Sequence, residues 1–190
     1  MIHTDVMLDL ETLGTAPGSV ILSIGAVAFT PGVVEFEWLT FDAKPIKVWS
    51  SRAAGMTIDE STLAWWLRQS DEARGLLESA LDGEGGFTLD EALRDFWAWF
   101  PTGARLWGNG ANFDNVLLRA AYTSLGAVDT PVPWFYYADY CFRTMKNMFK
   151  SVQAPEFVGV KHDALADALH QTRWLQAILE HVREMESAAK

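Results

Sequence analysis

An apolar run broken by acids at alternate positions opens the chain. Val6-Met7-Leu8-Asp9-Leu10-Glu11 carries Asp9 and Glu11 two residues apart in an otherwise hydrophobic segment. Side chains at i and i+2 leave a strand on the same face, so a strand here aims both carboxylates one way. Gly14-Thr15-Ala16-Pro17-Gly18 reads as a turn. A second strand is predicted over Val20 to Phe29, where Gly25 permits close backbone approach. Pro31-Gly32 then turns the chain into a third strand, Val33 to Phe41, completing a hairpin.

Beyond this the period changes. Asp42 to Gly55 shows no pattern that assigns it. Thr57-Ile58-Asp59-Glu60 starts a helix through Leu67, and Asp71 to Leu81 forms another. Gly83-Glu84-Gly85-Gly86 breaks the pattern and reads as a mobile loop. Thr88 and Glu91 spell a capping box before a helix to Phe100, with Leu89, Leu93, Phe96 and Phe100 on its apolar face. Arg105 to Gly108 is a short strand. Asn112 is placed to cap the next helix, with Val116, Leu117, Ala120 and Ala121 toward the core. Pro131 and Pro133 interrupt the chain, and the aromatic stretch Trp134 to Phe142 reads as a strand. A last helix starts at His162 or Asp163, runs to about Val182, and packs through Leu165, Leu169, Leu175, Ile178 and Leu179. Strands first, then alternating helices and strands, describe an α/β chain with a mixed sheet flanked by helices.

Composition narrows the class. The 190 residues suit one domain with one core, about 5–182, and a polar C-terminal tail. Hydrophobic residues make up 49%, with 9 Trp and 11 Phe, which excludes a disordered chain. So many aromatics leave some for a groove or a subunit contact, a homodimer included. A net charge of -10 argues against a broad surface for gripping duplex nucleic acid. It leaves room for a small site that takes phosphate through metal ions. Cys141 is the only cysteine, which fits a reducing cytoplasm and supplies no thiolate zinc site. No signal peptide or apolar run of membrane-spanning length is read from the sequence, so no membrane partner is expected. No phosphate-binding P-loop, dinucleotide loop or nucleophile elbow is present.

The chemistry concentrates in four carboxylates and one histidine: Asp9, Glu11, Asp114, Asp167 and His162. Same-face acids in an apolar strand repel unless a cation, a proton or solvent relieves them. Brought together, these groups can hold two divalent metals and position a water for phosphodiester hydrolysis. Each also has a plainer reading. Asp114 in a first helical turn favours the helix dipole, and His162 can simply cover a helix end. His3, His170 and His181 have no partnering pattern.

Three stretches in order carry a resemblance: Asp9-Leu10-Glu11, Asn112-Phe113-Asp114, and His162-Asp163-Ala164-Leu165-Ala166-Asp167. They resemble the exonuclease motifs of the DEDD superfamily, the RNase-H-like fold of proofreading exonucleases, oligoribonuclease and RNase T. Histidine five positions before the last aspartate is similar to the DEDDh branch; the tyrosine branch would have Tyr where this chain has Asp163. Leu8 to Thr12 followed by Ile24-Gly25-Ala26-Val27 is similar to the family's opening hairpin. Trp107 to Asp114 looks closest to the compact RNase AS-like exoribonucleases and the phage exodeoxyribonuclease VIII-like group.

The resemblance implies a 3'-5' exonuclease acting on the 3' ends of single-stranded or short RNA or DNA, with RNA favoured. It implies two Mg²⁺ or Mn²⁺ ions held by Asp9, Glu11, Asp114 and Asp167, with Asp9 between them. Glu11 also faces the terminal ribose, and His162 takes the proton from the attacking water. Thr12 and Leu13 are expected in the terminal-nucleotide pocket. Phe113 and Trp66 are placed to contact a base, although aromatics more commonly fill cores. A DNA-specific exonuclease and an inert interaction module of the same fold are the alternatives.

Overall fold

The computed structural model describes residues 3–33, 35–126 and 132–189. Five strands form one mixed sheet in the order β3-β2-β1-β4-β5. They are β1 (Asp5–Thr12), β2 (Ile21–Phe29), β3 (Leu39–Ala43), β4 (Arg105–Gly108) and β5 (Asp139–Cys141). β1, β2 and β3 pair antiparallel, whereas β4 runs parallel to both β1 and β5. The helices are α1 (Val48–Ala53), α2 (Glu60–Trp66), α3 (Asp71–Asp82), α4 (Leu89–Trp99), α5 (Asp114–Ser124), α6 (Phe142–Met148) and α7 (Ala164–Ala188).

The strand period divides the helices between two faces. Val6, Leu8 and Leu10 point into the larger core with residues of α1 to α5. Met7, Val27, Phe29 and Trp107 point the other way, into a smaller core with α6 and α7. Asp5, Asp9 and Glu11 share Met7's parity along β1, so the acids belong to the α7 face.

Local signals explain most starts and stops. Asp59 caps α2 by accepting from the Thr62 N–H at 2.8 Å, and the Thr88–Glu91 capping box opens α4. Asp163 caps α7, accepting from the Ala166 N–H at 3.0 Å. Gly83 closes α3 in the left-handed conformation.

Several expectations need correction. The strand predicted over Val33 to Phe41 (Val34 lies outside the described residues) forms only from Leu39, after a 3-10 turn at Glu35–Glu37. Contacts to α7 decide this: the Gly32 N–H donates to Gln176 at 2.8 Å, and Arg173 ion-pairs with Glu35. The strand predicted over Trp134 to Phe142 shortens to Asp139–Cys141, because the chain turns where the Ala138 N–H meets the Phe135 carbonyl. Phe142 instead begins α6. Asn112 does not cap α5; Phe113 holds that position, and its N–H bonds the Gly110 carbonyl. Leu118 and Tyr122 fill the core where Val116 and Ala120 were expected. The unassigned stretch contains β3's end and α1, and α7 continues past Val182 to Ala188. The Pro131 interruption lies outside the described residues. Among the described residues, no helix is long and apolar enough to cross a membrane.

One contact governs where α7 lies. Gly25 is the register partner of Asp9, and a Cβ on Gly25 would fall 2.1 Å from the Ala164 carbonyl carbon. Only a missing side chain lets the first turn of α7 rest on β2 beside Asp9. Gly25→Ala is therefore expected to destabilise the protein by about 1–3 kcal/mol through overpacking against backbone. Urea denaturation measures this, and an unchanged midpoint would contradict the packing.

Candidate active site

The carboxylates meet where the carboxyl ends of β1 and β4 lie under the start of α7. β1 contributes Asp9 and Glu11. Asp114 opens α5 with its carboxylate buried, where the nearby backbone N–H groups of Leu10, Asn109 and its own residue favour the ionised form. Gly108 permits the approach, since a Cβ there would stand 3.1 Å from Asp114 Oδ2 and 2.5 Å from Asn115 Oδ1.

α7 supplies the remaining groups. Asp167 lies in its first turn, and one turn later Gln171 Nε2 donates to Asp9 Oδ1 at 2.7 Å. His162 precedes the helix with φ 66, and its backbone N–H donates to Asp167 Oδ2 at 3.0 Å. Histidine is among the non-glycine residues that tolerate this left-handed conformation. Lys44 Nζ joins Asp163 at 2.5 Å and Asp42 at 3.1 Å, fastening the start of α7 to β3.

Carboxylate oxygens of Asp9, Glu11 and Asp167 lie within 4.8 Å of one another. They and Asp114, His162, Gln171, Asn109, Phe113 and Arg143 line one cavity of about 210 Å³. Burial and mutual repulsion push protons onto these acids. Burial, then Asp114, Glu11 and Asp167, hold Asp9 well above the carboxylate range. Burial and then the neighbouring Asp167 and Asp114 raise Glu11 to about 8. Burial raises Asp114 to about 7 against the opposing backbone N–H bonds. Asp167 is also raised, again chiefly by burial.

Asp5 supplies the contrast within the same strand. Fully buried, it is paired with Arg105 at 2.7 Å and accepts from Trp107 Nε1 at 2.7 Å. Among the described residues, the cluster acids Asp9, Glu11, Asp114 and Asp167 have no ion pair with Lys or Arg within 4.0 Å. Converging hard oxygens without an ion-paired Lys or Arg fit a divalent cation of the Mg²⁺ or Mn²⁺ kind.

A second cavity of about 460 Å³ adjoins the first through Leu10, Glu11 and Phe113. Thr12, Thr15, Ser61, Thr62, Trp65 and Trp66 complete its lining. The Trp65 ring packs edge-on against the His162 imidazole, with centroids 4.9 Å apart.

The family model of the Rv2179c-like 3'-5' exoribonuclease domain matches residues 4–179. The chain belongs to this family. An exodeoxyribonuclease of enterobacteria phage T4 is 28% identical over 126 residues, covering 60% of this chain and 53% of the phage protein. The chain thus spans about half the length of that curated relative. Among solved structures, the nuclease domain of 3'hExo, a DEDDh family member bound to rAMP, superposes with a TM-score of 0.58 at 13% identity. That match covers 94% of this chain and 93% of the 3'hExo domain. The cell-death related nuclease CRN-4 gives a TM-score of 0.53 at 13% identity, over 93% of this chain and 64% of its own. These two show the fold, the RNase-H-like architecture of DEDDh nucleases.

For this exoribonuclease-family domain, the five groups singled out from sequence share one cavity. The expected nucleotide-pocket residues divide. Thr12 and Phe113 line the second cavity, with the Thr12 hydroxyl donating to the Gly14 carbonyl at 2.8 Å. Trp66 also lines it but is almost wholly buried, donating from Nε1 to the Thr12 carbonyl at 2.8 Å. Leu13 lies in the core and lines neither cavity. Trp65, Gln171 and Arg143 were not read from the sequence. For Gln171 a signal existed: four residues after Asp167 on a helix, it must share that side chain's face.

Without metal, these raised carboxyls make the folded protein bind more protons than the unfolded chain above the ordinary carboxylate range. Stability therefore falls as pH rises from about 5 through 8. In EDTA, Tm is expected to drop across this window. Mn²⁺ should raise Tm strongly at pH 8 and weakly at pH 5. A metal response independent of pH would contradict the assignment.

Proposed function

We propose that the protein is a divalent-metal-dependent 3'-5' exonuclease acting on single-stranded or short nucleic acid, with RNA favoured. Asp9, Glu11, Asp114, Asp167 and His162, drawn from three distant stretches, line one cavity beside an aromatic pocket; that convergence carries the reading. Asp9, Glu11, Asp114 and Asp167 would hold two Mg²⁺ or Mn²⁺ ions. Such a pair supplies Lewis-acid stabilisation of the attacking and leaving oxygens.

The chain's own groups account for the rest. The terminal nucleoside enters the pocket walled by Trp65, Trp66 and Phe113, with Thr12 and Glu11 at the sugar. His162 removes a proton from the attacking water, a role suited to a residue type that exchanges protons near neutrality. Water adds to the terminal phosphorus as the bond to the penultimate O3' breaks; that oxygen takes a proton from solvent, leaving a 3'-hydroxyl on the shortened strand and a free nucleoside 5'-monophosphate. The Trp65 ring and the backbone bond to Asp167 steady the histidine. Gln171 holds one Asp9 oxygen in place.

RNA is favoured by the exoribonuclease family match along most of the chain. The likeness to a phage exodeoxyribonuclease supports the second reading, a DNA-specific enzyme. An inert module gains nothing from filling every position of such a cluster. Phe135, Tyr136 and Tyr137 are exposed, with Phe135 stacked on Tyr137 and Tyr136 edge-on to Tyr137, offering a face to a second copy in a homodimer. The free Cys141 is compatible with a cytoplasmic setting.

Matched single-stranded RNA and DNA, incubated with Mg²⁺, Mn²⁺ or EDTA, test the reading. Release of 5'-monophosphates from the 3' end is expected with metal and none with EDTA. Asp9→Asn and Asp114→Asn should abolish release while keeping a cooperative fold. His162→Ala should cut kcat by about 100-fold or more while Mn²⁺ binding persists. Full activity in purified Asp114→Asn protein would remove the proposal.

A further inference from the structure

Arg143 is the only Arg or Lys among the described residues that line the acid cavity. Residing in the first turn of α6, it is exposed, and no ion pair within 4.0 Å engages its guanidinium among the described residues. Its field reaches Asp114, where it favours the ionised form, without closing onto that carboxylate. Gly110 lies against it: a Cβ there would stand 3.3 Å from Arg143 Cζ. The buried Asn109 Oδ1, in the same cavity, has no hydrogen-bond partner.

Position decides what such a cation can meet. The aromatic pocket joins the acid cavity through Leu10, Glu11 and Phe113, and Arg143 does not line it. Arg143 stands instead on the Asp114 side, over β4 and the loop that follows. A strand whose terminal nucleoside fills the aromatic pocket has its scissile phosphate at the acids. The side of the acid cavity away from the aromatic pocket, where Arg143 lies, is then open to its next phosphate. A planar guanidinium suits a phosphate diester there.

Resting on the exonuclease reading above, we infer that Arg143 binds the phosphodiester immediately upstream of the scissile one. It is a substrate-gripping residue that makes a strand, in preference to a mononucleotide ester, the favoured ligand. A purely structural or field-setting role would act on every substrate alike.

The test uses the full chain and a single-stranded hexamer, in ribo and deoxy forms. A second version carries a neutral methylphosphonate at the linkage just upstream of the scissile bond. With the wild type, the neutral linkage is expected to raise KM about tenfold with little change in kcat, the scale of one charged hydrogen bond. Arg143→Ala should raise KM for the ordinary hexamer by a similar factor and show no added loss with the neutral one. Its slope of log KM against log salt should shrink by about 0.7, one phosphate contact on a single strand. Arg143→Lys should recover part of the affinity. Losses that multiply, or an unchanged KM in Arg143→Ala, would overturn the assignment and leave the exonuclease reading intact. A wild type that releases no mononucleotide from the ordinary hexamer would instead remove the exonuclease reading, and this inference with it.

Discussion

Like charge held in a small, partly dry space is the constraint on which the rest depends. Oxygens of Asp9, Glu11 and Asp167 stand within 4.8 Å of one another, with Asp114 on the same cavity. At the effective dielectric of a protein, each ionised pair at that range repels by about 3 kcal/mol. Several such pairs rival the whole stability of a domain, about 5–15 kcal/mol. The fold can keep these acids together only if protons or cations neutralise them. Their raised proton affinities express the first solution, and a divalent ion would provide the second.

The fold is arranged to enforce that crowding. β1 sorts its side chains by parity, sending Leu8 and Leu10 to one core and Asp9 and Glu11 to the other face. Gly25 removes the side chain that would hold α7 away, and Lys44 fastens the helix start through Asp163. Asp114 is buried on the same cavity, where nearby backbone N–H groups favour its ionised form without cancelling its charge. Asp5 shows that the same strand can settle an acid with Arg105 where no cation site is wanted.

Much of this was legible before any coordinates. Alternation exposed Asp9 and Glu11, the last helix was read to start at His162 or Asp163, and motif order joined Asp114 and Asp167 to them. Gly25 was read as a point of close approach, and α7 makes that approach. What escaped the sequence depends on tertiary contacts. The segment after Pro31 has strand-like residues, but Gln176 and Arg173 on α7 pull it into a turn. Trp65 and Trp66 are adjacent and equally aromatic, yet only geometry shows Trp65 against His162 and Trp66 buried under Thr12. Leu13 follows Thr12 directly, but the bulge after Glu11 leaves its side chain in the core. Arg143 carries no local signal, because its meaning comes from which cavity α6 faces.

The most direct test of the central claim is anomalous diffraction at the manganese edge from crystals equilibrated with Mn²⁺. Anomalous density is expected in contact with the Asp9 carboxylate and shared with Glu11, Asp114 or Asp167. Crystals saturated with Mn²⁺ that show no density against any of these four side chains would contradict the account.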